Sequence, residues 1–95
     1  MTGPAWRIRA MGPLDIPEAA RIHNDAFGFE AWDQKAITEV LSMPRTSGLM
    51  AVDAALGDLK PLGFALYLVV AEDAELLTIA VRPDARRRGL GTALI

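Results

Sequence analysis

Residues 76–94 read Leu76-Leu77-Thr78-Ile79-Ala80-Val81-Arg82-Pro83-Asp84-Ala85-Arg86-Arg87-Arg88-Gly89-Leu90-Gly91-Thr92-Ala93-Leu94, and this stretch decides the fold. It spells an apolar strand, an arginine-rich turn, two closely spaced glycines and the opening of a helix. The first N–H groups of a helix have no intrahelical partner and carry partial positive charge, so they gather anions. Glycine at positions 89 and 91 removes the Cβ atoms that would hold a phosphate off the main chain. Arg86, Arg87 and Arg88 add charge-assisted hydrogen bonds, roughly twice as strong as neutral ones. A di- or triphosphate group is the ligand such a segment suits. The plainer alternative is an ordinary strand-to-helix turn with a solvated arginine run. A Walker A loop is excluded, because Gly91-Thr92 lacks the intervening lysine. A dinucleotide fingerprint is excluded too, because Leu94 stands where its third glycine belongs.

Upstream, the elements follow in a readable order. Ala5 to Met11 alternates weakly and is bounded by Pro4 and Gly12-Pro13, which predicts a first strand with Arg7 and Arg9 on its exposed face. Asp15 before Ile16-Pro17-Glu18 has the pattern of an N-cap, a proline in the first turn and an early carboxylate. Ile16, Ala19, Ala20, His23 and Phe27 then recur at helical spacing, predicting a helix over 16–26. A second helix opens at Asp33, presents Ile37, Val40 and Leu41 inward, and stops before Pro44. From Ser47 the period becomes two. Leu49 to Val52 predicts a strand, Gly57-Asp58 a turn, and Leu62 to Ala71 a long apolar strand covered on both faces. Leu76 to Val81 is the last strand. The order is β-α-α-β-β-β-α, an α+β class with a mixed sheet. Because the chain stops just inside a helix, at Thr92-Ala93-Leu94-Ile95, residues 1–95 are expected to form the N-terminal part of a longer domain.

Composition narrows the function. The 95 residues are 52% hydrophobic and 23% charged, which is the make-up of one folded domain. A net charge of -2 argues against general nucleic-acid binding. With no cysteine and a single histidine, His23, neither a disulfide framework nor a thiolate or histidine metal site is expected. The N-terminus lacks the apolar run of a signal peptide, and Leu62 to Ala71 is half the roughly 20 residues that span a bilayer. The expectation is a cytoplasmic protein with no membrane segment; the absent cysteines fit a reducing compartment.

The pattern of arginine or glutamine, two residues, glycine, one residue and glycine, after a strand ending in a V-x-P step, resembles the acetyl-CoA signature of the GNAT N-acetyltransferases. Here it is Arg86-Arg87-Arg88-Gly89-Leu90-Gly91 behind Val81-Arg82-Pro83. Thr78-Ile79-Ala80-Val81 before it, and Phe27 to Leu41 with Trp32-Asp33, are similar to the RimI-type branch, which acetylates the α-amine of an N-terminal alanine on a ribosomal protein. The resemblance implies acetyl-CoA as co-substrate and a protein N-terminus as acceptor. It implies that Ile79, Ala80 and Val81 hold the pantetheine arm through main-chain bonds. Arg86 would open the pyrophosphate loop, and Arg87, Arg88, Gly89, Leu90, Gly91 and Thr92 would wrap it. It also implies that the branch's usual base and tyrosine acid lie beyond Ile95.

The implied reaction is attack of a neutral amine on the thioester carbonyl. An α-amine of pKa about 8 costs roughly 1 kcal/mol to neutralise at pH 7, whereas a lysine near 10.4 costs about 4.6. Glu75 is the one base candidate within the chain. It stands four residues before Ile79, where the histone-acetylating branch carries its glutamate, and strict alternation groups it with Leu77 and Ile79. A solvated carboxylate beside Glu72 and Asp73 is the alternative. Phe27, Phe29 and Trp32 either line an acceptor groove or belong to the core, with the core reading preferred. His23 is expected to be a packed, hydrogen-bonded core residue rather than a catalyst. Other functions remain open at this point: a lysine or small-molecule amine acetyltransferase, or a non-catalytic fragment that binds CoA or a partner.

Overall fold

The computed structural model describes residues 6–83. Six main elements appear: β1 (Trp6–Ala10), α1 (Ile16–Phe27), α2 (Gln34–Leu41), β2 (Thr46–Asp53), β3 (Gly57–Val70) and β4 (Asp73–Val81). The sheet order is β1-β2-β3-β4, and among the described residues every pairing is antiparallel. The element order expected from the sequence stands as far as β4. Its final helix lies outside the described residues.

The apolar spacing of α1 turns Ala19, Ile22 and His23 inward, and that of α2 buries Ile37. These meet Met50, Val52, Phe64, Leu66 and Ala80 on one face of the sheet. The opposite face gathers a smaller cluster of Ala51, Leu62 and Ala65 with Trp6, Ile8, Leu49, Ile79 and Val81. Both helices contribute to the first cluster and neither to the second. The apolar run is buried on both sides over Leu62–Leu66, whereas Val69, Val70 and Ala71 are exposed, a correction to the cover expected along its whole length.

Register shifts break the two-residue period in three places, one of them between Val52 and Asp53 at the end of β2. Ala51 pairs with Gly63 but Val52 pairs with Pro61, so Leu62 is an extra residue and joins Ala65 on the second face. Pro61 has no N–H to give the ladder, and a bulge is where a proline inside a sheet is tolerated. In β4, Leu66 pairs with Thr78 but Tyr67 pairs with Leu76, which makes Leu77 the extra residue.

Local signals differ in their outcome. Asp33 caps α2 as expected, its Oδ1 accepting from the Ala36 N–H at 2.8 Å. Asp15 does not cap α1. A 3-10 turn, Pro13–Asp15, precedes the helix, and the carboxylate turns back to accept from the Gly12 N–H at 2.8 Å. It also takes both terminal guanidinium nitrogens of Arg9 at 2.8 Å, and Arg9 Nε reaches Asp58 at 2.8 Å. A bidentate charge-assisted pair outcompetes a cap that the 3-10 turn makes unnecessary. Arg9 is therefore a half-buried network residue, a correction to the exposed face expected of it. Asp15 raises the guanidinium pKa above its ordinary range, and the Arg9 hydrogen bond holds the Asp15 carboxyl below its own. The turn expected at Gly57-Asp58 lies just before it. Asp53 Oδ1 accepts from the N–H groups of Ala55 and Leu56, and Gly57, at φ 57°, opens β3.

Candidate active site

The strand that carries the sequence signature, β4, is joined to β3 by a two-residue hairpin, with Val70 paired to Asp73. Among the described residues it is the last strand of the sheet and pairs on one side only. Arg82 N–H donates to the Leu62 carbonyl at 2.8 Å. Main-chain direction alternates along a strand, so Ala80 also faces β3, while Ile79 and Val81 turn their N–H and C=O groups toward the opposite edge. The side chains divide the same way: Ala80 sits in the helix-side cluster, Ile79 and Val81 in the other. At Ile79 such an edge can take an extended, amide-bearing ligand as if it were a further strand.

The Leu77 bulge changes what shares a face with what. Glu75 pairs with Leu68 and Thr78 with Leu66, so Glu75 lies on the helix side with Thr78. The grouping of Glu75 with Ile79, expected from strict alternation, is corrected: the extra residue places them on opposite faces. Glu75 itself is exposed.

The buried polar centre is His23. It is 2% exposed and packs among three rings, stacked on Trp32 at a centroid distance of 5.5 Å and tilted against Phe27 at 4.4 Å and Phe64 at 6.0 Å. Trp32 N–H donates to its Nδ1 at 2.9 Å, and its Nε2 lies 2.8 Å from Thr78 Oγ1. Since a backbone N–H only donates, Nδ1 is the acceptor, and the neutral ring carries its proton on Nε2. Nε2–H therefore donates to Thr78. Burial lowers the His23 pKa below its ordinary 6.5. The core role expected of His23 is observed, with a bridge from α1 to β4 that the sequence did not suggest. One signal was available: Thr78 is the single polar side chain within the apolar run Leu76–Val81.

Beside this bridge, a cleft of about 390 Å³ runs between α1 and α2, lined by Arg21, Asn24, Trp32 and Asp33 among others. Trp32 is half-buried and packs on the helix-side cluster, as the core reading held. Phe29 does not belong to the core, being fully exposed at the 3-10 turn Gly28–Glu30, and Phe27 is 44% exposed. The turn ends α1 through Gly28 at φ 60° and leaves Phe29 outside, while the Phe27 ring keeps its contact with His23.

Of the site residues expected from the sequence, Ile79, Ala80 and Val81 lie together on β4 with Glu75 upstream. Arg86, Arg87, Arg88, Gly89, Leu90, Gly91 and Thr92 lie outside the described residues. Among the described residues, no group of three or more His, Asp or Glu is placed to hold a metal ion. No helix among them is long and apolar enough to cross a membrane.

Known proteins share this fold. The chain aligns over 94% of its length with the ribosomal-protein-S18-alanine N-acetyltransferase of Escherichia coli, at 31% identity and a TM-score of 0.78, covering 54% of that protein. It aligns over 95% with Ard1 from Thermoplasma volcanium, at 28% identity and a TM-score of 0.73, covering 58% of that chain. AAC(6')-Iy, solved with the bisubstrate analog CoA-S-monomethyl-acetylneamine, shares the fold at 19% identity and a TM-score of 0.69, with 94% of this chain and 65% of that one covered. The chain thus spans little more than half the length of the S18-alanine enzyme and of the Ard1 protein. No match was found among curated proteins. Residues 16–95 match the model of the acetyltransferase (GNAT) family, and the chain belongs to that family.

Proposed function

We propose that this chain supplies the cofactor strand and acceptor-side helices of an acetyl-CoA-dependent N-acetyltransferase acting on a protein N-terminal α-amine, a ribosomal protein being one candidate acceptor. The observation that carries the reading is the 31% identity to the S18-alanine enzyme across 94% of this chain. Acetyl-CoA brings the activated thioester. Its extended arm suits the edge to which Ile79 and Val81 turn their main-chain groups, with Ala80 fixing that edge to β3. Its diphosphate suits the loop from Arg86 through Arg87, Arg88, Gly89, Leu90 and Gly91 to Thr92.

The amine nitrogen forms the new C–N bond as the thioester C–S bond breaks, and CoA leaves as the thiol. An α-amine loses its proton at a cost of only about 1 kcal/mol near pH 7. An exposed carboxylate such as Glu75, working through water, is adequate to that task, whereas a lysine acceptor would demand a tuned base. The reaction is assigned to the cytoplasm, where a chain without cysteine is at home.

The test is acetyl transfer by the full chain from acetyl-CoA to three acceptors: an Ala-initiated peptide, an N-blocked lysine peptide and an aminoglycoside. Preference for the first is expected. Preference for the aminoglycoside would move the assignment to the small-molecule enzymes, and absence of turnover with binding of CoA would leave a binding module. Replacement of Glu75→Gln should lower kcat/KM below pH 8, and an unchanged pH profile removes Glu75 as the base.

A further inference from the structure

We infer that His23 is a positioning residue for the acetyl transfer, a role that rests on the function proposed above. Its neutral imidazole fastens the α1–α2 connection to β4 and leaves the Thr78 hydroxyl with a proton to give to the acceptor. Three elements meet at one ring. His23 comes from α1, Trp32 N–H from the connection before α2, and Thr78 from β4, directly ahead of Ile79. Trp32 also lines the α1–α2 cleft, so the ring sets the distance between that cleft and the cofactor strand.

Packing alone does not account for a histidine here. An aliphatic side chain would fill the space between Phe27, Trp32 and Phe64 without two buried nitrogens that each need a partner. Both partners are supplied, one fixing the tautomer and the other reading it out. Because Nε2–H donates, Thr78 Oγ1 accepts, and the hydroxyl proton faces no acceptor recorded among the described residues.

The experiment measures steady-state kinetics of the full chain with an Ala-initiated peptide, together with the nitrogen NMR spectrum of its single imidazole. Thr78→Val should raise the acceptor KM about tenfold, the scale of one buried hydrogen bond left unmade, with kcat and the acetyl-CoA KM near wild type. Thr78→Ser should restore it. His23→Leu should act in the same direction; should that variant fail to fold, the nearly isosteric Thr78 pair decides. The spectrum should show Nε2 protonated and Nδ1 bare. A wild-type chain that acetylates the peptide while Thr78→Val matches it, or an Nδ1–H tautomer, overturns the positioning role alone. A wild-type chain that acetylates no amine overturns the underlying function and this role with it.

Discussion

Gly63→Ala tests how closely β3 and the candidate cofactor strand are fitted. A Cβ at Gly63 would lie 2.9 Å from the Ala80 carbonyl oxygen, 3.1 Å from Val81 Cγ2 and 3.2 Å from Val81 Cα. Ordinary van der Waals contact begins near 3.4 Å, so β4 must retreat by about 0.5 Å, and two of the three atoms are backbone that cannot swing aside. Forcing a methyl into a packed site of this kind costs about 1–3 kcal/mol. Alanine returns about 0.4–1 kcal/mol by restricting the unfolded chain, leaving a net loss of about 1–2 kcal/mol. For a chain of 95 residues that corresponds to a fall in Tm of roughly 5–10 °C. Gly12→Ala is the control: its Cβ would meet nothing within 4 Å, and its φ of -121° suits any residue. Thermal melts of the two variants and the wild type should place Gly12→Ala at or above wild type and Gly63→Ala well below. The retreat of Val81 should also weaken acetyl-CoA binding in Gly63→Ala. If Gly63→Ala melts no lower than Gly12→Ala, the described β3–β4 fit is wrong.

Three further outcomes are expected. Ala71 occupies the left-handed region at φ 54° in the β3–β4 hairpin, so Ala71→Gly should raise stability by about 1 kcal/mol in urea titrations. Asp15 is held below the ordinary carboxylate pKa of 3.8 by Arg9, so its contribution is present above that pH and lost as pH falls through the depressed value. Asp15→Asn should accordingly cost about 1–2 kcal/mol at pH 7 and flatten the acid limb of a stability–pH curve. His23 has a folded-state pKa below its ordinary 6.5, so the unfolded chain takes up the proton first and stability falls as pH drops below 6.5. His23→Gln should remove that slope, which melts recorded between pH 7.5 and 5 would reveal.

The helices were legible because each carried two independent signals. In α2 the Asp33 cap and the spacing of Ile37, Val40 and Leu41 agree, and both are realised. Where a residue had a second partner to choose, competition decided the outcome. Asp15 looked like a cap because the ion pair that claims it comes from Arg9, on an element whose approach no local pattern encodes. Strand positions were legible and their phases were not. A bulge adds one residue without altering composition, so Leu62 and Leu77 moved their neighbours to other faces unannounced. The same shift brings Thr78 to His23, a contact 55 residues apart in sequence. Phe29 misled because hydrophobicity alone names what is able to be buried, and the turn at Gly28 sends it outward.

The sheet order has a consequence for how the molecule comes apart. Strands β2, β3 and β4 form a meander closed by short hairpins, whereas β1 meets β2 only after the chain has passed through both helices, Ala10 pairing with Leu49. Closing a loop some tenfold longer costs about 2 kcal/mol more in chain entropy. Among the described strands the first is also the shortest and lies at the margin, so it is the flap that should lift while the meander holds. Deuterium should enter the amides of Arg7 and Arg9 well before those of Phe64 and Ala65. Equal protection along both strands would mean that the four unzip together.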